Sequence, residues 1–305
     1  MRYRALTLAI LISLPVFFSG VSDSHGGERT FTDTTGCTIS LPDRPLRVVS
    51  LAPSITEIVF ALGKGPLLVG VTRYSDYPEK AKMLPRVGSY IRPELESIVT
   101  LKPDLCLTVE DGPPKKTIER LKAFGIPVYT VNPDSIDTIL RSIQEIGDIL
   151  DAKNTAAAIT DKMGAQLTVI DRAVAEAPHK PDIFFQIGIS PIVSVGKNTF
   201  LDEMIQRAGG TNVVTSDTPY PRFSKEQVLA LAPEMIIITS MARNDIFEVV
   251  KKDWESWPSL PAVRNKRIHV VDSDTLDRPT PRVVDGLAML AALIHPTLFA
   301  EAHHE

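Results

Sequence analysis

Residues 226–239 read EQVLALAPEMIIIT, and residues 96–109 read ESIVTLKPDLCLTV. The two segments follow one pattern. Glu226 matches Glu96, Leu231 matches Leu101, Pro233 matches Pro103, and the apolar positions between them coincide. Each reads as an amphipathic helix ended just before a proline, then a short apolar strand. The match extends upstream: Tyr90 stands six residues before Glu96, and Tyr220 six before Glu226. Such a unit, repeated 130 residues apart, predicts two α/β lobes of similar plan in one chain.

The flanking segments fit that plan. Residues 29–41 alternate and turn at Thr35-Gly36, which predicts a β-hairpin. Strands are predicted at 47–51, 67–71, 105–109 and 128–131. Helices are predicted from Pro53-Ser54 to Leu62, over 94–101 and over 117–124, with Gly63 and Gly125 as stops. Short apolar strands alternating with helices predict parallel βαβ units. From Ser135 to Glu176 there is no strand signal. One helix is predicted from Ser135 to about Leu150, and a longer one from a cap at Asp151 to Pro178. At about 25 residues the second would be about 38 Å long, and its place near mid-chain predicts a rigid rod between lobes. After Pro181 the alternation resumes, with strands at 182–186, 192–195, 235–239 and 269–271 and helices at 199–208, 225–231, near 245–252 and from about Pro281. The predicted fold is α/β: two lobes of parallel-type α/β sandwich joined by a single long rigid helix. The expected divisions are a signal segment over 1–24, an N-terminal lobe over 25–134, connecting helices over 135–178 and a C-terminal lobe over 179–305.

At 305 residues the chain can hold two separate cores. It is 44% hydrophobic and 23% charged, with a net charge of −4. That balance, without a basic run, gives no support to a nucleic-acid partner. Arg2 and Arg4 precede the apolar run 5–18, and small residues follow over 19–24. This is the order of a secretory signal cleaved near Ser22 or Ser24, which leaves a chain near −5. The run is too short for a comfortable membrane span. The expected product is an exported, periplasmic protein that is monomeric when free. Cys37 and Cys106 suit an oxidising compartment, either as one disulfide or as two thiols.

Catalytic patterns are missing. There is no GxGxxG, P-loop, HExxH or GxSxG, and none of the six histidines stands at ligand spacing from a carboxylate or cysteine. The expectation is a receptor and not an enzyme, with no catalytic cofactor and no protein metal site. In α/β lobes ligands collect at loops beyond the carboxyl ends of strands. Two lobes facing each other would present Tyr90 from one side and Tyr220 from the other.

The stretch VGVTRYSDYPEKAKMLPRVGSY (69–90) resembles the signature loop of periplasmic cobalamin-binding proteins, which deliver corrinoids to ABC importers. Further resemblance lies in RVVSLAPSITEIVFALG (47–63), FFQIGISPIVSVGKN (184–198), PYPRFSKEQVLALAP (219–233) and DSDTLDRPTPRVV (272–284), and it covers about residues 45–298. It implies the architecture of the class III binding proteins, whose relatives also carry haem and ferric siderophores. By the resemblance, Tyr74 takes the aromatic cleft position, and Tyr90 and Tyr220 stand where the best-known members carry tryptophan. Asp274 and Arg278 match a polar pair at the cleft edge. Glu96 and Glu226 match two surface carboxylates, one per lobe, that dock onto arginines of a near-twofold permease. The implied ligand is cobalamin or another corrinoid. The rivals are a haem or siderophore receptor on the same frame and an exported corrinoid-modifying enzyme. On the residues alone, Asp274 and Arg278 are either an i,i+4 ion pair or loop groups facing the ligand, with Pro279 and Pro281 favouring the loop. Asp76 and Pro78 read as residues that shape their loop.

Overall fold

The structure, a computed structural model, describes residues 28–41, 44–239 and 246–299. The segment read as an export signal lies outside them. Strands β1 (Arg29–Thr32) and β2 (Thr38–Leu41) form the expected antiparallel hairpin, with Arg29 opposite Leu41. Its turn is organised by Asp33, whose Oδ1 accepts from the backbone N–H groups of Thr35 and Cys37.

The chain then alternates: β3 (Val48–Ser50), α1 (Pro53–Ala61), β4 (Leu68–Gly70), α2 (Leu95–Thr100), β5 (Leu105–Val109), α3 (Lys115–Ala123) and β6 (Val128–Val131). The four strands pair in the order β4-β3-β5-β6, all parallel. Every residue of β3, β5 and β6 is buried, as their unbroken apolar runs require in a sheet covered on both faces. The winding reverses between β3 and β5. The crevice beyond the carboxyl ends of strands at such a reversal is where open α/β sheets hold ligands.

Helices α4 (Ile136–Ile149) and α5 (Lys153–Ala175) connect this unit to the next. A Ser135–Thr138 capping box starts α4, and Ile136, Ile139, Ile143 and Ile146 bury one face. Asp151 does not cap α5 as its side chain suggests. It takes a left-handed conformation, φ 55°, and Ala152 is the N-cap. The reversal between the helices is too tight for an extended cap residue there. Ala152 donates its backbone N–H to the Gly147 carbonyl at 2.6 Å. A Cβ on Gly147 would lie 2.4 Å from that of Ala156, so the close approach of the two helices requires glycine. The 23 residues of α5 span about 34 Å. Its buried Met163, Leu167, Ile170 and Val174 belong to one core that runs from the first sheet to Ile183 and Phe185 of the second.

The second unit contains β7 (Asp182–Ile189), β8 (Ile192–Ser194), α6 (Phe200–Arg207), β9 (Thr211–Asn212), β10 (Arg222–Phe223), α7 (Lys225–Leu231), β11 (Met235–Ile238), α8 (Ile246–Glu255), α9 (Pro261–Arg264), β12 (Ile268–Val270), α10 (Ser273–Leu276), α11 (Val283–Ile294) and α12 (Pro296–Phe299). Its sheet runs β10-β8-β7-β11-β12, with β9 beside the start of β7. Pairings β7–β11 and β11–β12 are parallel. Those of β8 with β7 and β10 are antiparallel, so this sheet is mixed and not purely parallel. The turn at Ser190-Pro191 is too short for the crossover a parallel pair needs. Glu203 of α6 accepts the backbone N–H of Ile136 at 2.7 Å, and Arg207 forks onto Asp171 of α5 at 2.6 and 3.1 Å. The second unit is therefore fastened to both connecting helices.

The repeat extends to individual hydrogen bonds. Leu105 pairs with Val48 and Met235 with Ile183. Lys102 and Ala232 are both left-handed, φ 47°, before their prolines. Asp104 accepts from the backbone N–H groups of Leu46 and Arg47, and Glu234 accepts from that of Asp182. In each half a carboxylate just after the proline fixes the entry of the neighbouring strand.

Candidate functional site

Asp111 and, through Thr239, Asp277 stand at the carboxyl ends of β5 and β11. Asp111 lies two residues beyond β5 and is exposed. Tyr90, half-buried against the main core, donates its hydroxyl to Asp111 Oδ1. Burial, the Asp111 charge and this bond push the Tyr90 phenol well above its ordinary value, and the Tyr220 hydroxyl adds to the effect. Tyr220 is 41% exposed. Its phenol is pushed up to about 12 by burial, then by the charges of Asp111 and Asp277. Of the two tyrosines that the repeat singles out, Tyr90 bonds Asp111 directly, and Tyr220, from the other unit, feels the same charge.

Asp277 follows α10 and is held by Thr239, the residue after β11, whose Oγ1 donates to its Oδ2 at 2.8 Å. Its other oxygen is buried and has no hydrogen-bond partner among the described residues. Burial, with Asp272 and Asp274 nearby, pushes its carboxyl up to about 7 despite the Thr239 bond.

The aromatic loop after β4 is braced from beneath. The Thr56 hydroxyl of α1 is hydrogen-bonded with the Ser50 hydroxyl at 2.8 Å and the Ser75 hydroxyl at 3.0 Å, as donor to one and acceptor from the other, and Ser75 pairs with Thr72 at 2.7 Å, a buried chain of hydroxyls. Arg86 donates to the carbonyls of Thr72 and Ser75. Tyr77-Pro78 is a cis peptide. This scaffold holds Tyr74, 54% exposed, and Tyr77, 46% exposed, at the surface of the loop.

Across from the loop stand Asp274 and Arg278. The sequence offered an ion pair or two ligand-facing groups, and they form an ion pair at 2.8 Å. Arg278 also donates to Glu57 Oε1 at 2.9 Å, to Asp76 Oδ1 at 3.3 Å and to the Tyr74 carbonyl at 3.4 Å. Arg282 donates to both oxygens of Glu57 at 2.9 Å, and its guanidinium lies 3.9 Å from the centre of the Tyr77 ring. Glu57 is 3% exposed. Burial raises its carboxyl, and both arginines act against that rise. For Arg278 burial opposes the charge, but the Glu57 bond and the neighbouring carboxylates outweigh it, so the guanidinium is held protonated. Glu57 sits in α1 of the first unit and the arginines in the second, so this ion cluster crosses between them.

Sequence reading passed over Glu57, Arg282, Asp111 and Asp277. Glu57 carried a signal: it is the one carboxylate in a helix whose residues 54–59 are all buried. Asp111 reads as an ordinary turn residue, and Asp277 lay unused inside DTLDR.

Glu96 and Glu226 are exposed, each in the first turn of its helix, where the helix dipole favours a carboxylate. Backbone bonding and the Ser224 side chain hold Glu226 below the ordinary carboxyl range. Cys37 and Cys106 are free thiols, and Cys106 is buried in the first sheet. Among the described residues no helix is long and apolar enough to cross a membrane.

Two α/β units bridged by a long helix, with aromatic and polar groups converging from both, define a two-lobed ligand-capture protein. The chain belongs to the periplasmic binding protein family, which it matches over residues 48–275. It is a substrate-binding protein of the ABC-transporter type, not an enzyme. It is 31% identical over 281 residues to a vitamin B12-binding protein of Vibrio parahaemolyticus, covering 91% of this chain and 94% of the relative. It is 32% identical to an uncharacterised ABC transporter substrate-binding lipoprotein, YvrC, of Bacillus subtilis, covering 99% and 100%. Among solved structures it resembles the periplasmic vitamin B12-binding protein BtuF of Vibrio cholerae, with TM-score 0.74 and 28% identity over 83% of this chain and 97% of that one. A periplasmic haem-binding protein of Pseudomonas aeruginosa is similar to the same degree, with TM-score 0.75 and 28% identity over 83% and 94%.

Proposed function

We propose that the protein captures a corrinoid, cobalamin or a close relative, between its two units and delivers it to the permease of an ABC importer. The observation that carries this reading is that Tyr90 and Tyr220, at matching positions in the two halves, both feel the Asp111 charge, Tyr90 through a direct hydrogen bond. A corrin is broad, with apolar faces and an amide fringe. Phenol rings supply flat contact area at little cost in entropy, and a carboxylate beside them accepts amide N–H groups. The vitamin B12-binding relatives support the same ligand class.

Haem is the competing cargo, because haem-binding structures are equally similar. One feature weighs against it: Asp111, exposed and bonded to Tyr90, disfavours a carboxylate on a haem edge. Absorbance spectra of the protein mixed with aquocobalamin or with haemin separate the readings. A perturbed corrinoid spectrum with haemin unchanged is expected, and the reverse would replace corrinoid by haem.

Export to the periplasm and a monomeric free state complete the proposal, together with docking through Glu96 and Glu226 onto an arginine-bearing permease of near-twofold symmetry. Matching charges on two pseudo-equivalent helices suit such a partner, and they govern registry and on-rate more than affinity. Tyr74, Asp274 and Arg278 remain proposed ligand neighbours, at the edge of the ion cluster.

A further inference from the structure

We propose that Glu57 is a positioning residue for the ligand wall: through Arg278 and Arg282 it latches the loop 74–78 of the first unit to the second unit and fixes the width of the cleft. The proposal rests on the inter-unit ligand site argued above, although its structural part stands without any ligand.

Three observations carry it. First, the carboxylate is saturated by partners from the other side of the molecule. Glu57 Oε1 accepts from Arg278 and Arg282, and Oε2 accepts from Arg282, all at 2.9 Å, across separations of 221 and 225 residues. Secondly, each arginine passes the constraint to the aromatic loop. Arg278 reaches the Tyr74 carbonyl and Asp76 Oδ1, and Arg282 lies over the Tyr77 ring. Thirdly, the cluster is shielded. The side chains of Glu57, Arg278 and Asp76 are 2%, 12% and 13% exposed. Shielded, multiply bonded charges are costly to separate, because a lone buried charge has neither water nor partner. The arrangement is therefore two-valued: closed with every charge paired, or open with Glu57 left behind in the first unit.

The rest of the joint fits. The continuous core along α5 resists bending. The described ion pairs that cross between the units join Arg278 and Arg282 to Glu57 and Arg278 to Asp76, and Glu57 is the carboxylate that both arginines share. The docked permease would then release ligand by separating this cluster, with no need to unfold either sheet.

The test uses the full mature chain and two variants. Glu57→Gln keeps the volume and removes the charge. Arg282→Lys keeps the charge and removes the planar fork that engages Glu57 and the Tyr77 ring. Hydrogen exchange is read in ligand-free protein over residues 72–78 and over β5 and β11. Dissociation of dicyanocobinamide is read separately by stopped flow. Exchange in the loop is expected to rise about tenfold in either variant while the strands stay protected. Corrinoid dissociation is expected to accelerate about tenfold with little change in association. Unchanged loop exchange in both variants overturns the latch, as does a rise shared equally by the strands, which would mark mere loss of stability. If Glu57→Gln does not fold, Arg282→Lys decides alone. If the wild type binds no corrinoid but the loop loosens as stated, the ligand reading fails and the latch stands.

Discussion

The Tyr90 hydroxyl donates to the Asp111 carboxylate, and Tyr220 from the other half of the chain senses the same charge. One acidic residue just beyond β5 thus anchors the Tyr90 ring and raises the phenols of both units. The phenols are kept neutral and the carboxylate is left with lone pairs for amide donors, as an amide-fringed ligand requires.

Removing that charge has a direct spectroscopic consequence. In Asp111→Asn the Tyr90 phenol is expected to ionise at lower pH than in the wild type, and Tyr220 to fall below about 12. Ultraviolet difference titration of the tyrosines checks it. Identical titration curves would show that Asp111 does not set the phenol environment.

Asp277 makes stability depend on pH. Its carboxyl is pushed from the ordinary 3.8 up to about 7, so the native state binds its proton more tightly than the unfolded chain does. This contribution is fully present below about 4 and is lost as pH rises through about 7. Asp277→Asn keeps an acceptor for Thr239 and cannot ionise. Its Tm is expected to exceed the wild-type value by a few degrees at pH 8 and to match it near pH 4. A constant offset between the two proteins across this range would contradict the burial of Asp277.

Much of this architecture was legible because it is local. The Tyr–x5–Glu–helix–Pro–strand unit named both halves, and the strands β5, β6 and β11 lie where their apolar runs placed them. Asp151 was misread because its composition suits a cap, whereas the α4–α5 reversal dictates its backbone. β8 lies where its apolar run placed it, but its antiparallel direction and its partner β10, only two residues long, were not legible. The ion cluster was missed for a different reason. Glu57 and Arg282 are 225 residues apart, and no periodicity links a helix in one sheet unit to a loop in the other. Asp274 and Arg278 were found through the family resemblance, but their engagement with Glu57 and Asp76 emerges only from the fold.

Packing at Gly147 is a sharp constraint on the joint. Gly147→Val would drive a branched side chain into Ala156, whose Cβ already lies 2.4 Å from an added Cβ. Overpacking of this kind costs about 1–3 kcal/mol. A fall in the urea midpoint at unchanged slope is expected, and an unchanged midpoint would mean that α4 and α5 are not packed so closely.

Charge reversal at the two pseudo-equivalent helices separates capture from delivery. Glu96→Lys together with Glu226→Lys is expected to abolish corrinoid uptake in cells carrying the cognate importer, while the purified variant binds ligand as the wild type does. Both carboxylates are exposed at helix starts, so the fold should tolerate the change. Uptake that persists in the double variant would remove these residues from the docking surface.

The most direct measurement is isothermal titration of the mature protein with cobalamin and cobinamide, repeated on Tyr90→Ala and Tyr220→Ala. The expected result is one corrinoid per chain, with each substitution weakening affinity by about tenfold or more, the loss of roughly one buried aromatic contact. Absence of heat with either corrinoid, or affinities that neither substitution alters, would contradict capture between these two tyrosines.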